Sequence, residues 1–285
     1  MTVALYAISV SVLMHVAWNL MARHVESKCD FLWWGILCHL ILIGPISIYG
    51  LYAHALWSPE LLITIGITSV ANSLYFASLR QAYHYAPVTV VYPLARSSPV
   101  LIAVWALFFF DEQLPVNAWI GIVVSVIGLW FLALSVKEGD AKHALPWAIA
   151  AALFTSIYSL SDKVATSYLP TFISMLGFVS VGYLFSFVVL SVYNKKSKGK
   201  VIPVRRPPWR YLIPGGMFIG TSYALVIYAM VYLPAAYVVT LANAGIVIAV
   251  LVSLVLMKER FAWKPRIAAL GVILIGLFLV GFSRA

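Results

Sequence analysis

The chain has 285 residues, 63% of them hydrophobic and only 10% charged, where a soluble domain carries about 25% charged residues. A mean hydropathy of +0.98 leaves no room for a sizeable aqueous domain. The net charge of +10 would fit a nucleic-acid binder, but the basic residues lie in short segments between apolar runs, as membrane insertion requires, so nucleic acid is not an expected partner.

A membrane helix needs about 20 mostly apolar residues to cross a core about 30 Å thick. The first such run, Val3–Ala22, has no formal charge. It lacks a basic leader and a small-x-small cleavage site, so it reads as a retained span rather than a signal. Cys29 and Cys38 follow, one in a loop and one in an apolar run, with neither disulfide-framework nor metal spacing. Further spans are expected over 31–52, 61–79, 86–109, 116–136, 145–161 and 168–194. The basic segment 194–210, with seven Lys and Arg, reads as a linker. Tyr211–Met257 is 47 residues without a charge. As one helix it would reach about 70 Å, so it must be two, turning at Tyr232-Leu233-Pro234. A last span over 267–283 makes ten, and the expected fold is an all-α polytopic membrane protein.

Sixteen of the 19 Lys and Arg fall in the loops after the odd-numbered spans, and the opposite side holds only Lys163 and Arg284. Lys/Arg bias sets orientation, so the charges put the basic loop in the cytoplasm and both termini outside. A shift of 147 places lays the two halves over each other: Tyr85 on Tyr232, Pro87 on Pro234, Glu112 on Glu259, Phe131 on Phe278 and Arg96 on Asn243. A shift of 140 aligns the first helices, Trp18 with Tyr158 and Arg23 with Lys163. The expected repeats are 1–138 and 142–285, with the 194–210 loop inside the second. Five spans per half is an odd number, so the second repeat must be inverted, the construction by which many transporters make one midplane site.

Three features carry a family resemblance: the opening His15-Val16-Ala17-Trp18-Asn19, the pattern Tyr158…Asp162-Lys163, and the paired endings Glu112…Gly121…Gly128 and Glu259…Gly271…Gly276. On these the chain resembles the EamA family of ten-helix permeases in the drug/metabolite transporter superfamily. The second ending departs in detail, with Ala268 standing where the first half has Gly121. The resemblance implies a cavity lined by spans 1, 3, 4, 6, 8 and 9, and transport of amino acids, metabolites or drugs. It also implies cytoplasmic termini, against the charges.

An ionisable group inside a span is expensive and is read first as functional. Arg96 stands within span four, in Tyr92-Pro93-Leu94-Ala95-Arg96-Ser97-Ser98-Pro99. The two prolines free the carbonyls of Thr89 and Ala95, and a broken helix is tolerated where it lines a cavity. Arg96 therefore reads as a ligand for a carboxylate or phosphate, or as an anchor bonded to neighbouring carbonyls. Further candidate cavity residues are His15, Trp18 and Asn19 on span one, Asn72 and Tyr75 on span three, Tyr92 beside Arg96, and Ser159, Tyr223, Tyr237 and Asn243 in the second half. All nine acids, Asp162 among them, are expected at span ends or in loops. That leaves His15 as the candidate for proton coupling, with His39 as a second histidine, and uncoupled transport as the simpler reading. Glu112 and Glu259 read as turn residues at helix entries. Gly121-x-x-x-Ser125 and the span-ten glycines are small-residue faces that hold the halves together or form a dimer, so monomer and homodimer both stand.

No catalytic set, metal cluster or cofactor motif is expected. The reading is a small-molecule permease of the inner cell membrane, for an amino-acid-like or anionic metabolite. Its competitors are a non-transporting receptor or scaffold and a membrane-embedded enzyme.

Overall fold

The computed structural model describes residues 2–25, 29–135, 139–255, 258 and 262–283. Glu26, Glu138, Glu259, Arg260 and Arg284 lie outside the described residues. Among the described residues thirteen α-helices follow one another: α1 (Thr2–Arg23), α2 (Phe31–Leu42), α3 (Gly44–His54), α4 (Pro59–Tyr85), α5 (Val88–Ala95), α6 (Ser98–Phe110), α7 (Val116–Leu134), α8 (Ala141–Ala165), α9 (Phe172–Lys198), α10 (Trp209–Met230), α11 (Ala235–Ala242), α12 (Ala244–Val255) and α13 (Trp263–Phe282). Among the described residues no strand occurs. Helix is the form that satisfies every backbone N–H and C=O within one segment, which lipid demands.

Among the described residues nine stretches are long and apolar enough to cross a membrane, taking α5 with α6 and α11 with α12 as single broken spans. The pair α2 and α3, bent by 59°, makes the tenth. The bend falls where Pro45 opens α3 after Ile43, because proline cannot donate to the carbonyl one turn back. Large apolar side chains face outward, Phe108 at 75% exposure among them. This is the surface expected of a protein solvated by acyl chains.

The chain divides into two compact units, Met1–Ser73 with Ser161–Tyr232, and Leu74–Leu160 with Leu233–Ala285. Each unit draws on both halves of the sequence. In the first, α10 packs on α1, α2 and α9, and α3 packs on α9. Ser11 on α1 donates to the Ser222 carbonyl at 2.7 Å. His39 is fully buried, with Nε2 2.9 Å from Ser180 Oγ and its ring against Gly220, where a Cβ would come within 2.1 Å. It is packed as core.

In the second unit α7 and α13 form the central seam. A Cβ on Gly121 would meet the Gly276 carbonyl at 2.8 Å, and one on Gly276 would meet Ser125 N at 2.4 Å. The two backbones touch, as small residues allow between membrane helices. The small-residue face of α7 is thus satisfied inside one chain, joining the last helix of each half, whereas a Cβ on Gly271 would meet nothing within 4 Å among the described residues outside its own helix backbone. Helix α5 packs on α7, and α11 and α12 pack on α13.

Among the described residues two charged side chains are buried within helices, where the sequence pointed to Arg96 alone. Arg266 is 5% exposed and donates to Ser253 Oγ at 3.3 Å. Asp162 is 0% exposed and sits inside α8, which continues past it to Ala165.

Candidate functional site

In the second unit, α5 ends at Ala95 and α6 begins at Ser98, leaving Arg96 and Ser97 between them. Pro93 lies inside α5 and Pro99 at the first turn of α6, so the expected helix break is present where the prolines put it. Arg96 curls back over Tyr92, one helical turn earlier, its guanidinium carbon 5.1 Å from the ring centre. Arg96 Nε and one terminal nitrogen both donate to the Tyr92 hydroxyl, at 3.1 and 2.7 Å.

Two further helices bring phenols to this charge. Tyr75 on α4 and Tyr158 on α8 lie close enough to interact with it electrostatically. Their rings meet edge to face at 5.8 Å. Tyr83, also on α4, feels Arg96, Tyr75 and Tyr92. Among the described residues no carboxylate acts on Arg96. Its charge is met by neutral hydroxyls alone, and it remains only half-buried. A guanidinium offers five donors in a planar fork, and Tyr92 occupies part of that fork.

Asn243 closes the cluster from behind. Fully buried, it separates α11 from α12 and donates Nδ2 to the Arg96 carbonyl at 3.2 Å. Its Oδ1 has no partner among the described residues. Ser97 Oγ accepts from Trp130 Nε1 at 2.8 Å, which ties the break to α7.

The other candidates divide. Ser159 is buried beside Tyr158, with no hydrogen bond to the cluster among the described residues. Tyr237 is 2% exposed, and its hydroxyl lies toward Ser283 and Glu112 rather than Arg96.

In the first unit, His15 Nδ1 is 3.0 Å from the Ser11 carbonyl. Asn19 Nδ2 donates to the His15 carbonyl at 2.7 Å, so this pair hydrogen-bonds along its own helix. Trp18 has its ring 6.3 Å from that of His15, and its Nε1 is buried without a partner among the described residues. Asn72 Oδ1 accepts from Ser186 at 3.2 Å. Tyr223 donates its hydroxyl to Asp162 Oδ2, and Thr68 donates to Oδ1 at 2.7 Å.

Sequence reasoning missed Asp162, Tyr158 and Tyr83 as members of polar clusters. A signal existed for Tyr158, which aligns with Trp18 in the repeat. For Asp162 the adjoining Lys163 pointed toward a span end. The structure turns the Lys163 ammonium to the Met230 carbonyl and keeps the helix going.

The model of the EamA-like transporter family matches residues 1–134 and again 143–282. No curated protein matches the chain. A solved structure titled "Crystal structure of protein" is similar over 97% of this chain and 98% of its own, with a TM-score of 0.70 and 18% identity; at that identity the likeness is one of fold.

Proposed function

Because this chain belongs to the EamA-like transporter family, we propose that it carries a small amino-acid-like or anionic metabolite across the inner cell membrane by alternating access, with Arg96 as the group that binds the substrate's carboxylate. The family is one of multi-pass membrane transporters within the drug/metabolite transporter superfamily.

One observation carries the assignment: a half-buried guanidinium at a helix break, with phenols around it and no acid acting on it among the described residues. A buried charge is normally paired, because leaving water costs several kcal/mol per ion (roughly) and only a good partner offsets it. A substrate carboxylate would complete the pair through the part of the fork that Tyr92 leaves free. Alternating access is supported by the duplication, since two five-span repeats give one site two related routes of approach. A receptor or scaffold would need no such duplication. The described residues include no group of three or more metal-binding side chains.

The test is flux in proteoliposomes with a panel of radiolabelled amino acids and small monocarboxylates. Wild type should take up at least one carboxylate-bearing probe, and Arg96→Gln should reduce that uptake at least about tenfold, the loss of one charge-assisted contact. Unchanged uptake by Arg96→Gln would make Arg96 a structural anchor.

A further inference from the structure

We propose that Asp162, with Thr68 and Tyr223, forms a proton site in the first unit, and that proton uptake and release there is coupled to transport. The coupling rests on the transporter reading above; the proton site does not.

Asp162 is the twenty-second of the 25 residues of α8, and its two partners come from well inside their own helices. Thr68 is the tenth of the 27 residues of α4, and Tyr223 the fifteenth of the 22 residues of α10. Asp162 is completely buried, and each carboxyl oxygen is met by one hydroxyl. Of the elements packed against it, α10 presents the titratable Tyr223 and α4 the Thr68 hydroxyl. Lys163 on its own helix turns to the Met230 carbonyl. Among the described residues no cation acts on Asp162.

The choice of partners distinguishes a proton site from a fixed ion pair. Lysine, arginine and backbone N–H groups only donate, so they hold a carboxylate and oppose its neutral form. Hydroxyls both donate and accept. With Asp162 ionised, Thr68 and Tyr223 donate to its two oxygens. With Asp162 protonated, the carboxyl O–H donates to one of the same hydroxyls after that hydroxyl rotates. No heavy atom need move for the carboxyl to keep a hydroxyl partner in both states. The proton comes from water and returns to water as aspartate and hydronium exchange one hydrogen. Beside Asp162, Ser161 donates to the Thr64 carbonyl at 3.1 Å.

Infrared difference spectra of proteoliposomes, taken between alkaline and acidic buffer without any substrate, read the site directly. Wild type should gain a protonated-carboxyl carbonyl band on acidification, absent from Asp162→Asn. Asp140→Asn should keep the band, because Asp140 is an exposed carboxyl that the His143 backbone N–H and ring hold below the usual range. Tyr223→Phe, which keeps the carboxyl and removes one hydroxyl, should shift the band's frequency. Identical spectra for wild type and Asp162→Asn, or a band indifferent to Tyr223→Phe, would overturn the site. An inward-directed proton gradient should then speed uptake of a carried probe several-fold in wild type and leave Asp162→Asn unaffected; a gradient-indifferent wild type would overturn the coupling. Should no probe in the panel be carried, the carboxylate-substrate reading fails, and the infrared spectra still decide the proton site.

Discussion

The two places where a span breaks in the second unit occupy the same position in the repeat, 147 residues apart, yet they are made differently. Helix α5 has eight residues and stops at Arg96; α11 has eight residues and stops at Asn243. At the first break a long cation stays half-accessible against Tyr92. At the second a short amide is fully buried and holds the carbonyl of the first. The duplication preserved the break and not its chemistry. One copy presents a charge, and the other braces the backbone beneath it.

That asymmetry is open to attack by substitution. The largest effect should come from Arg96→Lys compared with Arg96→Gln. Both should cut probe uptake at least about tenfold if the planar fork matters, because an ammonium is a point charge without bidentate geometry; recovery by lysine would show that charge alone suffices. Next, Gly276→Leu should push α13 off α7, the seam on which both breaks rest, and destabilise the protein by about 1–3 kcal/mol. Denaturant melts in detergent would register this, and an unshifted melt would remove the seam from the account. Tyr92→Phe keeps the ring and deletes the hydroxyl that holds two guanidinium nitrogens. A loss of about 1 kcal/mol predicts roughly fivefold weaker probe binding, read as a raised KM. The smallest effect belongs to Asn243→Ala, which loses one bond to the Arg96 carbonyl and should lower thermal stability by about 1 kcal/mol with uptake largely kept. If it silenced transport as fully as Arg96→Gln, the division between a presenting and a bracing copy would be wrong.

Much of this was legible before any coordinates. The length of apolar runs against the thickness of the bilayer predicts the spans, because the constraint is one-dimensional. The break at Arg96 was equally readable, since Pro93 and Pro99 act on their own backbone. The contact between Tyr92 and Arg96 needs only their four-residue spacing. What could not be read is what arrives from elsewhere: Tyr75 and Tyr158 reach the guanidinium from α4 and α8, and nothing in their local sequence names their target. The break at Asn243 has no proline to announce it. The bend between α2 and α3 had its signal in Gly44-Pro45, inside a run otherwise apolar enough to pass for one straight span. Asp162 does stand near a helix end, the twenty-second of the 25 residues of α8; what its local sequence did not announce is its complete burial. The helix continues for three more residues, with hydroxyls solvating the carboxylate and a carbonyl receiving the neighbouring ammonium.

The backbone contact between Gly121 and Gly276 also has a mechanical meaning. Where side chains separate two rods, rotamers absorb small displacements; where peptide meets peptide, no such cushion exists. A push delivered to α7 is therefore handed to α13 without loss, and the two behave as a single stiff beam. Any yielding within this unit must come from the short segments braced against it.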